Sequence, residues 1–376
     1  MKIGVIHYNL NACGGAEYVC VNMIEALKKS GHEVGLCVND SVDFERLRNF
    51  FGVDVKNNLS YVYTANSRLV PFFEMYRRIV YGYSVFKKFW KRFDPDLVVV
   101  SFFPLSVVPK DYIEKTITYI QSFVIPIDFR SFYEDETISN SLSSKIYLMP
   151  IRAMLRVFDD FRDTKLLANS RYTSRLIKER WDRNAFVIYP PCPLYLDLPI
   201  NKKKDWVCTL SRFSPEKRYE AILEIAKETP DIEYHLVGSV SSDKIQYFSD
   251  LLKKSRSINN VHFHINASVD EKKEILQKSK VLLHANRGEH FGICLVEAMS
   301  SGTIPVPHNS GAAKEDSLVP LEHRWKTVRD AAKIIRLCVD NWNVDLANKL
   351  RDKSRDFDSQ SFQRHFMNSM NDEIDY

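Results

Sequence analysis

Two doubly wound α/β domains are the architecture this sequence predicts, and three observations carry it. At 376 residues the chain exceeds what one hydrophobic core usually organises, so two domains of about 150 to 200 residues each are the natural division. Residues 2–38 run apolar strand, glycine-bearing loop, helix, apolar strand, and the order strand, loop, helix, strand returns from residue 207 and again across 281–307. Between the halves stand Pro190, Pro191, Pro193 and Pro199, followed by Asn201 and three lysines, the composition of a boundary. The expected domains are 1–195 and 196–356.

Taken in order, residues 2–7 read as a buried parallel strand, the loop after it carries Gly14 and Gly15, and a helix over 16–30 stops at Gly31. A strand follows at 33–38. The dinucleotide fingerprint G-x-G-x-x-G is absent, so Gly14-Gly15 alone is a weak signal. Over 68–92, seven basic residues alternate with Phe72, Met75, Tyr76, Ile79, Val80, Tyr83, Phe86 and Trp90 at helical spacing. A core-facing helix with a solvated basic face and a helix docking on an anionic membrane surface both fit, and one helix can do both. The segment 145–162 repeats the pattern more weakly. Asp94-Pro95-Asp96 precedes a strand at 97–101 and reads as turn chemistry rather than a D-x-D metal motif. A further strand is expected at 116–121, with a helix over 172–180 after the L-L-A-N-S stretch at 166–170.

The second half opens with a strand at 207–211 and the loop S-R-F-S-P-E-K-R. Arg212 and Lys217, five residues apart across a turn, can converge on one anion as a planar fork and a flexible point charge. A helix over 219–229 and strands at 233–237 and 261–264 follow, with Gly238 at a strand end. A helix over 269–279 leads to the richest stretch of the chain, residues 286–302, N-R-G-E-H-F-G-I-C-L-V-E-A-M-S-S-G. This reads as a loop turning into a helix that Gly302 ends, between strands at 281–283 and 303–307. Glu289 and Glu297 stand eight apart, about 2.2 turns or roughly 12 Å of rise if the segment is mostly helical, which puts both on one side. Between them, the backbone N–H groups of Phe291, Gly292 and Ile293 offer an anion seat at a helix N-terminus, with His290 contributing mainly its backbone. Hydroxyl-binding acids flanking an anion seat match the layout of a nucleoside diphosphate sugar. Ser310 and Gly311 lie just past the next strand, within reach of phosphate or sugar, whereas His284 reads as a core histidine. Residues 327–340 and 345–370 read as largely helical.

These motifs, E-H-F-G-I-C-L-V-E with V-E-A-M and H-N-S-G, resemble the family 4 retaining glycosyltransferases, whose signature is Glu, seven residues, then Glu. Their wording is most similar to the GDP-mannose-using α-1,2-mannosyltransferases that extend lipid-linked oligosaccharides. The resemblance covers nearly the whole chain and implies the GT-B fold, two Rossmann-like domains facing across a cleft, with a helix over about 357–376 packing back on the first. It implies catalytic roles for Glu289, Arg212 and Lys217. It also implies donor contacts from Gly14, Gly15, Gly238, His290, Phe291, Gly292, Ile293, Glu297, Ser310 and Gly311, with no metal and no prosthetic group. Ser211 stands where the family usually has Gly, and Gln121 where a His is common; Gln can hydrogen-bond a hydroxyl but cannot carry a proton at neutral pH. Family members from eukaryotes carry an N-terminal membrane anchor that is not seen at the start of this sequence.

Composition narrows the partners. A net charge of +5 and a pI near 8.6 favour phosphates or anionic lipid heads over nucleic acid. Seven scattered cysteines without C-x-x-C spacing indicate neither a disulfide framework nor a zinc site, which gives a reducing, cytoplasmic compartment as the expectation. No run reaches 18 apolar residues and the first residues lack a signal peptide's apolar core, so membrane contact is expected to be peripheral, through 68–92. The function expected is transfer of a hexose, mannose favoured, from GDP-mannose or a UDP-sugar to a lipid-linked or other membrane-proximal glycan. A nucleotide-sugar epimerase or phosphorylase on the same fold, and a non-catalytic nucleotide-binding membrane scaffold, are the alternatives.

Overall fold

The computed structural model describes residues 1–65, 74–102, 108, 110–122, 149 and 163–370. The chain divides into two compact units, Met1–Pro191 with Ser359–Tyr376, and Cys192–Asp358.

In the first unit β1 (Lys2–His7), β2 (Glu33–Val38), β3 (Tyr61–Thr64), β4 (Leu97–Phe102), β5 (Thr116–Ile120), β6 (Lys165–Ala168) and β7 (Phe186–Val187) form one sheet. Its order is β3-β2-β1-β4-β5-β6-β7, and every pairing is parallel. In β1 and β2 every residue after the first is buried, as a parallel strand covered on both faces requires. Strand order reverses between β1 and β4, and ligands of doubly wound sheets bind beyond the carboxyl ends of the strands at such a point.

The helix α1 (Gly15–Lys29) starts at that end, with Glu17 in its first turn and Lys28 and Lys29 in its last, the charge order its dipole favours. Gly31 ends it with a φ of 81°. Next comes α2 (Phe44–Phe51), capped by Asp43, whose carboxylate accepts from Arg46 N at 3.0 Å. In α3 (Glu74–Phe93) the side chains of Phe86, Phe89, Trp90 and Phe93 are buried, so this end of the basic helix faces the core. Two strand glycines make room for it: a Cβ on Gly4 would come within 2.6 Å of Phe89, and one on Gly35 within 2.7 Å of Phe93. Of the suggested membrane face over 68–92, residues 68–73 lie outside what is described, as does the segment 145–162 apart from Met149. Just past α3, Asp94 takes a φ of 53° and Asp96 Oδ2 accepts the N–H of Lys2 at 2.8 Å, the turn chemistry expected of D-P-D. Ser170 caps α4 (Arg171–Trp181) by accepting from Thr173 N at 3.0 Å.

The second unit holds β8 (Lys204–Leu210), β9 (Glu233–Gly238), β10 (Val261–Ile265), β11 (Ser279–His284) and β12 (Ile304–Pro307) in the parallel order β10-β9-β8-β11-β12. Its helices are α5 (Tyr219–Glu228), α6 (Ile245–Ser255), α7 (Val269–Lys278), α8 (Ile293–Ser300), α9 (Ala312–Glu315), α10 (Val328–Asp340) and α11 (Val344–Ser354). Order reverses between β8 and β11, so the loops after these strands, 211–218 and 285–292, flank the second switch point. The helix α8 is buried from Leu295 to Ser300, which explains its near-absence of polar residues apart from Glu297 and Ser300. Gly302 follows it with a φ of 73°, and Trp342 Nε1 donates to the Gly302 carbonyl at 2.9 Å. Lys203 ties the unit's edge together: its ammonium donates to Leu276 O and Ser279 O at 2.8 Å each and to Thr303 Oγ1 at 2.6 Å.

The chain then returns to the first unit as α12 (Ser359–Met370). Phe362 and Phe366 are buried there, and Gln363 Nε2 donates to Glu25 Oε2 of α1 at 2.8 Å. No helix among the described residues is long and apolar enough to cross a membrane.

Candidate active site

The loop between β11 and α8 organises the second unit's switch point. Glu289 lies in that loop, half-buried, and its Oε2 gathers three partners: Lys217 Nζ at 3.1 Å, Asn286 Nδ2 at 2.7 Å and His284 Nε2 at 3.4 Å. Burial opposes the charge of Glu289, but Lys217, then His284 and Asn286, overcome it and hold the carboxyl well below its ordinary 4.5. Lys217 moves the other way: burial works against the ammonium, Glu289 outweighs it, and its pKa rises. The second oxygen of Glu289 has no partner among the described residues.

This arrangement corrects the helical-face reading of Glu289 and Glu297. The helix α8 begins only at Ile293, because Gly292 before it adopts a left-handed conformation with φ 90° and ψ 64°. Glu289 therefore precedes the helix, and the roughly 12 Å axial rise does not apply. The two acids do share a neighbour. Cys294, in the first turn of α8, has its thiol pushed up by burial and then by Glu289 and Glu297 together.

The remaining predicted residues fall as follows. Phe291 is buried, its ring 5.6 Å from that of Phe357, whereas His290 and Ile293 are half-buried. The first N–H groups of α8 have no acceptor within the helix. Ser310 and Gly311 buttress the Glu289 loop from behind. Ser310 Oγ accepts from Gly288 N at 2.9 Å and lies 2.8 Å from His308 Nδ1, while Ala312 N donates to Glu289 O at 2.9 Å. A Cβ on Gly311 would stand 2.4 Å from Glu289 O, so only glycine permits this approach. Gly238 plays a similar part across from β8, where an added Cβ would stand 2.1 Å from Ser211 O.

Arg212 and Lys217 do not share surroundings. The Arg212 side chain is 73% exposed and 4.0 Å from Glu216, whereas Lys217 turns inward to Glu289. The expected convergence on one anion is therefore not preformed.

Glu297, on α8, is 8% exposed and has its own cation. Lys272 Nζ of α7 lies 3.0 Å from its Oε1, and Tyr195 Oη donates to the same oxygen at 3.3 Å. Lys272 also sits over the Tyr195 ring, 5.2 Å from its centroid.

In the first unit, Gly14 and Gly15 are exposed at the start of α1. Gly14 N donates to Glu17 Oε2 at 2.7 Å, and Glu17 in turn lies 3.4 Å from the buried His7. Gln121 stands near them, its Nε2 donating to Ser101 O at 3.0 Å and Ala16 O at 3.4 Å. Both bonds use the amide nitrogen.

Sequence reasoning missed Lys272, Tyr195 and Asn286 and set His284 aside as a core residue. His284 is indeed buried, yet it faces Glu289. A strand-end histidine two residues before an N-x-x-E turn was the available signal for that group; nothing in the D-E-K-K-E run of α7 distinguishes Lys272 from its solvated neighbours.

A family profile described as Glycosyltransferase Family 4 matches residues 13–194, and one described as Glycosyl transferases group 1 matches residues 197–318. Two parallel doubly wound domains with these matches make the chain a glycosyltransferase of GT-B architecture. Residues 13–194 carry the family 4 domain and residues 197–318 the group 1 domain. Among its relatives, the Dictyostelium discoideum GDP-Man:Man(3)GlcNAc(2)-PP-Dol alpha-1,2-mannosyltransferase is 24% identical over 98% of this chain and 84% of its own length. The Xenopus laevis enzyme of the same name is 33% identical over 42% of this chain and 37% of its own; this chain thus matches well under half of that relative. The fold is similar to Anabaena HepE in complex with UDP and glucose, with a TM-score of 0.71, 17% identity, and coverage of 99% of this chain and 100% of HepE. The lipopolysaccharide glycosyltransferase WaaG gives 0.68 at 13% identity, covering 98% and 99%.

Proposed function

We propose that this glycosyltransferase moves a hexose, with mannose the favoured sugar, from a nucleoside diphosphate donor to a lipid-linked or other membrane-proximal glycan. The observation that carries the reading is the half-buried Lys217–Glu289 pair at the N-terminal end of α8. A lysine poised there can transfer its charge from the carboxylate to an arriving β-phosphate, freeing Glu289 for sugar hydroxyls. The relatives' names favour GDP-mannose; the UDP bound to HepE keeps a uridine donor in play.

In the reaction, the bond between the anomeric carbon and the β-phosphate oxygen breaks and the acceptor oxygen bonds that carbon. The acceptor's proton passes to the departing phosphate, on the same face, so configuration is retained. Charge accumulates on the leaving diphosphate, and preorganised donors aimed there are the strongest lever on rate. Lys217, Arg212 swinging in from solvent, and the Gly292 and Ile293 amides supply them. Glu289 takes hydroxyls of the sugar, Glu297 the ribose, and the loop at Gly238 lies toward the base. Gly14, Gly15 and Gln121 serve the acceptor side. Activity on a lipid-linked acceptor implies a peripheral position at the cytoplasmic membrane face, with the basic stretch 68–92 as the docking element.

The test is transfer itself. A thermal-shift panel of GDP-, UDP- and ADP-sugars identifies the donor, since ligand binding stabilises by mass action. Labelled donor is then incubated with and without a polyprenyl-linked glycan. Acceptor-dependent loss of donor label supports transfer; conversion of the donor sugar without any acceptor identifies an epimerase and overturns the proposal.

A further inference from the structure

Glu297 is the only acid on α8, and its two oxygens are treated differently. Both contacts recorded for it, from Lys272 and Tyr195, fall on Oε1. Oε2 has no partner among the described residues and is not among the fully buried unpartnered atoms, so it keeps some access to solvent. A carboxylate pinned through one oxygen presents the other in a fixed direction, and an ionised carboxylate only accepts hydrogen bonds. Its natural guest is a hydroxyl.

The pinning groups are themselves held. Tyr195 N donates to Ser300 Oγ at 2.9 Å, and Ser300 Oγ donates to Glu297 O at 2.8 Å, tying the backbone of Tyr195 to the same helix within a turn of Glu297. The Lys272 side chain is 22% exposed and rests on the Tyr195 ring, which limits its rotamers. Burial and then Glu297 push the Tyr195 hydroxyl up to about 12, so it remains a donor at neutral pH. Lys272, raised by Glu297 against the effect of burial, remains an ammonium.

We infer that Lys272 and Tyr195 are positioning residues that aim Glu297 Oε2 at a ribose hydroxyl of the donor nucleotide and so set the enzyme's preference for ribonucleotides over deoxyribonucleotides. The inference rests on the reading of this site as a nucleoside diphosphate site with Glu297 at the ribose, and adds the residues that give that contact its geometry. A site built to bond a hydroxyl discriminates against the analogue that lacks it. Loss of the pinning pair should therefore erase discrimination before it erases binding.

The experiment titrates the full-length protein by calorimetry with GDP and 2′-deoxy-GDP, and with UDP and 2′-deoxy-UDP. The unsubstituted protein should bind one ribonucleotide about tenfold more tightly than its deoxy counterpart, the value of roughly one good hydrogen bond. In Lys272→Met the gap should fall below about threefold, with the affinity for the deoxy nucleotide held within about twofold. Tyr195→Phe, which removes only a hydroxyl and keeps the ring under Lys272, should narrow the gap part of the way. Lys272→Arg should restore most of it. A Lys272→Met protein that keeps the tenfold gap, or that weakens both nucleotides equally, overturns the inference. If the unsubstituted protein binds neither GDP nor UDP, the nucleotide reading of the site fails, and the inference with it.

Discussion

Replacing Lys217 with Met tests the charge pair on which the proposed chemistry turns. Nζ and Oε2 are 3.1 Å apart with side-chain exposures of 18% and 22%. At an effective dielectric near 20 their gross attraction is about 5 kcal/mol. Desolvation offsets much of that, and removing one member of a buried pair typically costs about 3–5 kcal/mol because the other charge is stranded. Glu289 is not wholly stranded, since Asn286 at 2.7 Å and His284 at 3.4 Å remain. The expected loss is therefore about 2–3 kcal/mol, read from urea unfolding. Transfer should fall more than about tenfold, and by up to about 10³-fold, as for loss of one preorganised donor. The pair has a pH signature as well. Glu289 is depressed from 4.5, so its contribution is present above about pH 4.5 and disappears as pH falls through its lower folded value. Lys217 is raised from 10.5, so its contribution is present below about pH 10.5 and disappears above its folded value. The stability gap between the two proteins should be flat from about pH 5 to pH 10 and shrink on the acid side of that window. A Lys217→Met protein with unchanged unfolding free energy and turnover within about threefold of the original refutes the reasoning.

Other perturbations follow from the same geometry. Lys203→Met removes three hydrogen bonds and leaves Leu276 O and Ser279 O to share the Thr303 hydroxyl, so it should destabilise the second unit by about 1–2 kcal/mol in urea unfolding. Burial pulls Lys203 from 10.5 to about 7, so the unfolded chain binds more protons between those values, and this residue's effect should make stability rise with pH across that window; an unchanged pH profile in Lys203→Met contradicts this. Gly311→Ala brings a Cβ to 2.4 Å from Glu289 O at a φ of 62°, so it should displace the Glu289 loop and reduce kcat for transfer, while far-ultraviolet circular dichroism is unchanged. Neutralising Arg77, Arg78, Lys87 and Lys88 together should lower flotation with vesicles containing anionic phospholipid; equal flotation removes the peripheral docking proposal.

Much of the fold was legible because parallel strands buried on both faces read as apolar runs: β1 and β2 were expected at residues 2–7 and 33–38, where they lie. The elements not foreseen are those whose burial is partial. In α2 only Leu47 is buried, β3 is an edge strand with no buried residue, and α6 buries only Phe248 and Leu251, so none is marked by a continuous apolar run. At the site, the Glu289-to-Glu297 motif was visible, but the geometry was not. A glycine in the left-handed region at Gly292 decides that the first acid precedes the helix, and the sequence E-H-F-G-I is equally compatible with a helix begun earlier. Likewise the partner of Glu289 is 72 residues away, and only the adjacency of β8 and β11 brings it near.

That adjacency also explains why one short motif can hold two acids without mutual repulsion. Glu289 is neutralised by Lys217 from the loop after β8, Glu297 by Lys272 from α7, so neither acid depends on the other's cation. Each lysine takes one carboxylate oxygen, and in each case the second oxygen is unpartnered among the described residues. The two pairs nonetheless have different tasks. Lys272 shares Glu297 with a tyrosine whose backbone is tied to the same helix, an arrangement that resists rearrangement and suits a group that holds a ligand throughout turnover. Lys217 shares Glu289 with an amide and a histidine, neither of which is tied to the lysine. An anion arriving at the α8 N-terminus can draw that ammonium away while Asn286 and His284 keep the carboxylate hydrogen-bonded. A donor lacking the diphosphate should therefore leave the Lys217–Glu289 pair closed, and a free hexose should bind far more weakly than the same hexose carried on a nucleotide. Comparable affinities for the two, measured by calorimetry, would contradict this division of labour.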